Sequence, residues 1–300
     1  MMDAMSVPLE SGIIYALMAG LFWGITPLLL KKGMTHSNVS TATLVQQSVI
    51  VLTVFIIAVS QGEVLQLDIP LRAVWSFMAA GVVGGSIGKI FYNKAIERVG
   101  ASKAVSIKNS DPIISVLFLA LVLGEELTFP VAIGVVLIVT GVLVITRIQA
   151  REKERPNRLV DFIYPLLALL CFGITPLFKK LGMVAAALPT LAAFITQSTA
   201  LIVILTVGRL LNIKPKWERI PTKSLVCFVS GGITDALGSL FTFYSLIYAP
   251  AVVVSPIWRI SPLIVFLLAR FTLRGVEVVT LKDGIAATFI VSGVLVLGRA

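Results

Sequence analysis

Long apolar runs separated by short polar segments dominate the chain. Each run approaches or exceeds the roughly 20 residues that an α-helix needs to cross a hydrocarbon core of about 30 Å. The runs lack the alternation of apolar and polar residues that is typical of strands, so helices are predicted as the spanning elements. The ten predicted helices cover residues 12–34, 39–60, 71–96, 101–123, 128–147, 159–183, 188–208, 222–247, 250–272 and 279–298.

Composition supports the same interpretation. Charged residues make up 13% of the 300 residues and hydrophobic residues 57%, whereas a typical soluble domain has about 25% charged residues. The sequence therefore predicts an all-α integral membrane protein that passes several times through the cell membrane. The net charge of +10 comes mostly from loop residues, which favours contact with lipid head groups over nucleic acid. The cysteines Cys171 and Cys227 and the histidine His36 are isolated in the sequence, and no metal site or cofactor is predicted.

The two halves of the chain repeat each other. Gly24-Ile-Thr-Pro-Leu28 reappears as Gly173-Ile-Thr-Pro-Leu177. Further matches follow at a nearly constant spacing: Gln47 with Gln197, Gly88 with Gly238, Pro112 with Pro262, and Gly141-Val-Leu-Val144 with Gly293-Val-Leu-Val296. The ordered set predicts two five-helix repeats, over residues 1–147 and 159–300, joined by a charged linker loop over residues 148–158.

An odd number of helices in each repeat has a topological consequence. The second repeat must cross the membrane in the opposite sense to the first, which gives an inverted repeat. Such repeats are typical of secondary transporters, in which the substrate binds near the midplane between the halves.

Several motifs resemble the EamA branch of the drug/metabolite transporter superfamily. They are the Gly24-Ile-Thr-Pro27 motif with its copy at Gly173, Tyr92-Asn-Lys-Ala-Ile96 before Gly100-Ala-Ser102, the Asp111-Pro112 step, and Leu123-Gly-Glu-Glu-Leu127. Family members often carry Glu before the proline of the fourth helix, where this chain has Asp111; the second repeat has Ser261 there. The resemblance covers the whole chain and implies ten helices in two EamA repeats. It also implies transport of metabolites, commonly export, without ATP hydrolysis.

Ionisable residues inside predicted helices are candidates for the substrate site, because charges in the bilayer core are costly. This set, with one neighbouring amide, consists of Lys89, Lys108, Asn109, Asp111, Asp235 and Arg259. The helices that carry them occupy equivalent places in the two repeats, so the side chains are expected to line one cavity. An excess of cations would favour an anionic or zwitterionic solute. The alternative is structural pairing, of Lys108 with Asp111 and of Asp235 with Arg259.

Other polar and aromatic residues have two interpretations each. Thr26-Pro27 and Thr175-Pro176 interrupt helical hydrogen bonding and mark either a gate or a packing kink. Gln47 and Gln197 either line the site or join helices through hydrogen bonds. Tyr92 and Trp258 are candidate lining residues, and Trp23 and Trp258 either stack on a ligand or pack in the core. Glu125 and Glu126 are expected to favour the N-terminus of the fifth helix.

The orientation in the membrane is predicted differently by charge and by resemblance. Most Lys and Arg residues beyond or near the ends of predicted helices follow odd-numbered helices; the exceptions among them are Arg72, Lys179, Lys180 and Arg299. The positive-inside rule then places both termini outside, whereas the resemblance implies cytoplasmic termini.

Three functions are compatible with these features. The favoured hypothesis is a secondary active transporter, with a proton or a counter-substrate as the coupling partner. The alternatives are a passive facilitator or channel, and an enzyme embedded in the membrane. The enzyme is disfavoured because the sequence offers neither a metal site nor a Cys/His pair.

The charge distribution generates a labelling prediction. Single cysteines that replace Lys153 or Leu65, in a variant lacking Cys171 and Cys227, should react with an impermeant thiol reagent from opposite faces of the membrane. The positive-inside rule places position 65 outside and position 153 inside. Labelling of position 153 in intact cells would instead support the orientation implied by the resemblance.

Overall fold

The structure is a computed structural model that describes residues 9–34, 39–66, 68–99, 104, 107–149, 159–210, 220–272 and 281–299. His36, residues 100–102 and positions 150–158 of the predicted linker lie outside the described residues. The helices are α1 (Leu9–Gly33), α2 (Val39–Ser60), α3 (Leu71–Ala80), α4 (Lys89–Val99), α5 (Asp111–Leu123), α6 (Phe129–Gln149), α7 (Ile163–Ala185), α8 (Pro189–Leu210), α9 (Thr222–Tyr248), α10 (Ala251–Ile257), α11 (Ser261–Thr272) and α12 (Leu281–Leu297).

The helices of the described segments are apolar enough for a membrane. Six stretches, beginning at Leu9, Thr41, Leu71, Val160, Pro189 and Thr222, are also long enough to cross a bilayer. Four shorter apolar helices begin at Asp111, Phe129, Ala251 and Gly284. The predicted all-α membrane class is therefore confirmed for the part of the chain that the structure describes.

Glycines allow the helices to pack closely. Gly12 at the start of α1 lies against Ala249 after α9, while Trp23 further along α1 lies against Gly238, so α1 and α9 are antiparallel neighbours. The α6–α12 pair has the same arrangement, with Gly134 against Leu297. Without a hydrophobic driving force between helices in lipid, such close backbone approach supplies van der Waals stabilisation.

Two predicted continuous helices are interrupted, and these two predictions were wrong in detail. A third helix, predicted over residues 71–96, is confirmed as one continuous stretch in which α3 passes through a π-helical segment (Gly81–Gly88) into α4. The helix predicted over residues 101–123 contains a turn at Asn109 and Ser110 before α5 begins. The helix predicted over residues 250–272 consists of α10, a 3₁₀ turn (Trp258–Ile260) and α11.

Proline explains both interruptions. Pro112 and Pro262 each occupy the second position of the helix that follows the break. A proline at that position lacks the N–H that would bond the carbonyl four residues earlier, so the preceding turn cannot continue as a regular α-helix. Both breaks therefore follow from the same sequence feature in the two halves of the chain.

Two glutamates connect the halves of the chain at one end of the helices. Glu63 accepts hydrogen bonds from the backbone N–H groups of Thr190 and Leu191, each at 2.9 Å, where α8 begins. Glu125 accepts from the N–H groups of Ala251 and Val252 at 3.0 and 2.8 Å, where α10 begins. The expectation that Glu125 favours the fifth helix was wrong, because its carboxylate caps a helix of the other half.

A glycine precedes each of these glutamates and sets the turn. Gly62 and Gly124 have φ values of 72° and 65°, which lie in the left-handed region that glycine adopts at little cost. Gly124 ends α5 in this conformation. The chain then reverses sharply enough for the following carboxylate to reach a helix N-terminus, where negative charge is stabilising.

Loss of one of these caps should lower stability. Glu125→Ala leaves two N–H groups at the start of α10 without their acceptor, at a cost of about 1–2 kcal/mol. The midpoint of thermal unfolding in detergent should fall. Glu126→Ala is the matched control, since the Glu126 side chain is exposed. Equal midpoints for the two variants would contradict the assignment of Glu125 as the cap.

Candidate functional site

An ion pair joins the two broken segments at the centre of the candidate site. The carboxylate of Asp111, at the first position of α5, contacts the guanidinium of Arg259 in the 3₁₀ turn between α10 and α11. The Asp111 side chain is 1% exposed and that of Arg259 15% exposed. A buried pair of this kind joins the halves of the chain and compensates the charge of each partner.

The pairing differs from both alternatives that the sequence suggested. Asp111 pairs with Arg259 rather than with its near neighbour Lys108. Asp235 does not pair with Arg259; its two carboxylate oxygens accept hydrogen bonds from Trp23 Nε1 at 2.9 Å and Gln46 Nε2 at 3.0 Å. The alternative interpretation, structural pairing of Lys108 with Asp111 and of Asp235 with Arg259, is therefore contradicted by the structure.

Lys108 lies beside the central pair among aromatic rings. Its Nζ is 5.0 Å from the ring centroid of Phe172 and 5.9 Å from that of Tyr92, and it lies 3.4 Å from Oδ1 of Asn109. The Arg259 guanidinium lies over the same Phe172 ring at 6.0 Å. One ring therefore faces two cations, and the predicted residues Lys108, Asn109 and Tyr92 come together beside the ion pair.

Lys89 belongs to a different network. Its Nζ lies 3.3 Å from Oε1 of Gln47, whose Nε2 donates to Oε1 of Gln197 at 2.9 Å. Gln197 in turn donates to the hydroxyl of Ser239 at 2.8 Å. These contacts join α2, α4, α8 and α9. Lys89 therefore contacts Gln47, and Asp235 contacts the neighbouring Gln46. Neither of these hydrogen bonds involves the Asp111–Arg259 pair.

The two Thr-Pro steps lie inside helices that continue past them. Both threonine hydroxyls donate to the carbonyl four residues earlier, Thr26 to Phe22 at 3.0 Å and Thr175 to Cys171 at 2.6 Å. Thr26 also contacts the Thr234 hydroxyl at 2.9 Å. Pro27 is exposed, whereas Pro176 is buried. Pro27 and Pro176 leave the carbonyls of residues 23 and 172 without their helical N–H donors, so each hydroxyl bonds the carbonyl one residue before the freed one.

Sequence reasoning missed Lys179. It lies near the end of the predicted helix 159–183, and it was counted with Lys180 only among the cations near helix ends that set the orientation. In the structure, Lys179 is 6% exposed within α7 and its Nζ bonds the Thr242 hydroxyl at 2.9 Å. Lys180 bonds the carbonyl oxygens of Leu246 and Ala249 at 2.9 and 3.3 Å. Both lysines therefore lie within a helix, as the bounds 159–183 predict, but their side chains bond groups of α9 and of the residue that follows it.

One signal in the sequence could have identified Lys179. The repeat spacing that matches Gly24 with Gly173 and Lys31 with Lys180 also matches Lys179 with Leu30. A cation therefore replaces an apolar residue at an equivalent position of the helix. Lys179 lies between Trp23 and Trp258, at 5.7 and 5.6 Å from their ring centroids, and interacts electrostatically with both Arg259 and Asp235.

Comparison with known proteins agrees with this architecture. One solved crystal structure has a TM-score of 0.77 to the chain, with 18% sequence identity over 97% of this chain and 98% of that chain. At that identity the similarity concerns the fold alone. No curated protein matches the sequence significantly.

The family comparison concerns the first half of the chain. Residues 10–147 match the sequence profile of the EamA-like transporter family, which confirms over those residues the resemblance inferred from the motifs. That family is a transporter family rather than an enzyme family. Together with the apolar helices, the match identifies a multi-pass membrane protein whose first half is similar to the EamA-like transporters.

Proposed function

We propose that the protein is a secondary active transporter that moves a small anionic or zwitterionic metabolite by alternating access. The observation that carries the proposal is the Asp111–Arg259 ion pair at two interrupted helices. Interrupted membrane helices near the midplane form the substrate and ion sites of many secondary transporters. Charged side chains are tolerated there because they face protein partners rather than lipid.

The proposed architecture is a ten-helix inverted repeat, with residues 1–147 and 159–300 as the repeats and 148–158 as the linker. Pairs of equivalent contacts support it. Gly24 of α1 lies against Ile264 of α11, and Gly173 of α7 lies against Ile114 of α5. The repeat spacing relates these four positions. Two similar packings related in this way can face opposite sides of the membrane at similar free energy.

The charges of the site favour an anionic or zwitterionic solute. Lys108, Arg259 and Lys179 face Asp111 and Asp235 in the described part of the chain. The cations exceed the carboxylates by one if all of these groups are ionised. Phe172 and Trp258 add apolar surface beside these cations. A small polar solute with an anionic group satisfies both features.

Alternating access also requires contacts that close one face and can be broken. The hydrogen bonds of Glu63 to α8 and of Glu125 to α10 connect the proposed repeats at one end of the helices. Each is a local contact of a side chain with backbone N–H groups rather than an extensive packed interface. Opening this face would require these hydrogen bonds to break, or each glutamate and the helix that it caps to move together.

Uptake into proteoliposomes tests the proposal directly. The purified protein should accumulate at least one labelled anionic or zwitterionic metabolite from a panel, and an imposed proton gradient or an internal counter-substrate should increase the accumulation. Uptake that only equilibrates the solute would identify a passive facilitator. No uptake of any member of the panel, by protein that is folded in the liposomes, would contradict the proposal.

Removal of the central guanidinium should abolish uptake. Arg259→Ala deletes a buried donor and leaves Asp111 without its partner, which costs about 3–5 kcal/mol. The double variant Arg259→Met/Asp111→Leu, in which the pair becomes apolar, should recover thermal stability but not uptake. Recovery of both stability and uptake would show that the pair is structural only.

Asp111→Asn separates coupling from binding. The amide is nearly isosteric and can still accept a hydrogen bond from Arg259, but it cannot carry a proton. Under proton coupling, the variant should retain exchange of labelled for unlabelled solute and lose accumulation driven by a proton gradient. Glu126→Gln, which makes the same kind of change at an exposed carboxylate, is the matched control. Asn109→Asp would not serve, because it adds charge to the site. Unaltered gradient-driven uptake by Asp111→Asn would exclude Asp111 as the proton carrier.

A further inference from the structure

The ammonium group of Lys179 lies within three aromatic rings that we call the aromatic cage (Trp23, Phe243 and Trp258). Its Nζ is 4.8 Å from the Phe243 centroid, 5.6 Å from that of Trp258 and 5.7 Å from that of Trp23. The rings come from α1, α9 and the 3₁₀ turn that follows α10. The cage therefore lies where the interrupted helix meets its neighbours, next to Arg259.

The cage rings are themselves held by hydrogen bonds. Trp23 Nε1 donates to Asp235 at 2.9 Å and Trp258 Nε1 donates to the Ser245 hydroxyl at 3.0 Å. Phe243 is fully buried and packs edge-on against Phe77. The rings are thus positioned independently of Lys179, and the ammonium occupies a preformed site.

Lys179 differs from Arg259 in the way its charge is compensated. Arg259 contacts the carboxylate of Asp111. Among the described residues, no carboxylate lies within ion-pair distance of Lys179, whose hydrogen-bond partner is the neutral Thr242 hydroxyl at 2.9 Å. An ammonium has three donors, so one bonds the hydroxyl while the others face the rings.

The energetic balance argues against a purely structural role. Cation–π contacts stabilise a desolvated ammonium, but by much less than the cost of burying a charge without a contacting counter-charge. An apolar side chain of similar volume would fill this space at lower cost. The leucine at the equivalent position 30 of the first half shows that the helix itself does not require a lysine.

We infer that Lys179 is a further substrate-binding residue, whose ammonium binds the carboxylate or phosphate group of the transported solute. The inference rests on the proposed function. The aromatic cage holds the ammonium in the absence of solute and leaves donors for an incoming anion. The Asp111–Arg259 pair lies at the adjacent turn, where the carboxylate of Asp111 already compensates the charge of Arg259.

Tryptophan fluorescence of the full-length protein can report on this site. The chain has four tryptophans, and the Trp75→Phe/Trp217→Phe background leaves the two that belong to the cage. Acetate, succinate, glutamate and phosphate are titrated into the purified protein in nanodiscs. At least one of them should change the emission saturably, and Lys179→Met should raise the midpoint of that titration about tenfold or more.

Two further variants make the result specific. Lys223→Met removes one positive charge at an exposed position and should leave the midpoint unchanged. Lys179→Ala empties the aromatic cage, and added n-butylammonium should restore anion binding in that variant because the cage accepts alkylammonium ions. The n-butylammonium rescue of Lys179→Ala also tests the inference if the Lys179→Met variant is unstable. An unchanged midpoint in Lys179→Met, or no rescue of a folded alanine variant, would overturn the inference.

Uptake of the same four anions into proteoliposomes distinguishes the two proposals. If the unmodified protein neither binds nor transports any tested anion, anion transport itself is contradicted. If it transports one of them and Lys179→Met transports it with unchanged KM and kcat, the proposed function stands and the role of Lys179 is overturned. A higher KM in Lys179→Met supports both the proposed function and the role of Lys179 in substrate binding.

Discussion

A hydrocarbon core offers no water to buried charges or to the backbone of a broken helix, so the protein must supply every partner itself. The contact of Asp111 with Arg259 satisfies this constraint twice. It compensates two charges, and it joins the residues that flank the two interruptions, before α5 and before α11. The Phe172 ring faces both Arg259 and the neighbouring cation Lys108, so Lys108 also has a partner within the protein. The remaining features of the site are arranged around this pair.

The spanning helices could be predicted from sequence because apolar runs end at polar residues. The predictions 12–34 and 39–60 correspond to Leu9–Gly33 and Val39–Ser60 in the structure. The interruptions were not located from hydropathy, because the polar residues before Pro112 and Pro262 were interpreted as charges within continuous apolar helices. The ion-pair partners of the charged residues were harder still to predict from the sequence. The partner of Asp111 lies in the other half of the chain, and no local pattern favours Arg259 over Lys108. Lys179 was missed because two consecutive lysines near the predicted end of a helix have the pattern of a loop.

The Gly-Glu pairs connect local sequence to the proposed mechanism. Gly62 and Gly124 provide left-handed turns, and each following carboxylate reaches a helix of the other half. A cap of this kind holds two elements through a few directional bonds while burying little apolar surface. Such contacts can separate without exposing a packed core, whereas the close approach of α1 to α9 at Gly12 and Gly238 cannot. Under the proposed mechanism, the caps are therefore suited to the boundary that opens, and the closely packed helix pairs to the parts that stay together.

The proposed repeats share a scaffold but differ in their charges. Equivalent positions carry different chemistry, as in the pairs Asn109 and Arg259, Asp111 and Ser261, Leu30 and Lys179, and Gly85 and Asp235. Similar scaffolds allow two conformations of comparable free energy, since each half can adopt the packing of the other. A single solute near the symmetry axis needs each charged contact only once, and a duplicated set would bury further charges at further cost. Symmetric packing with asymmetric charge therefore meets both requirements of the proposed transport mechanism.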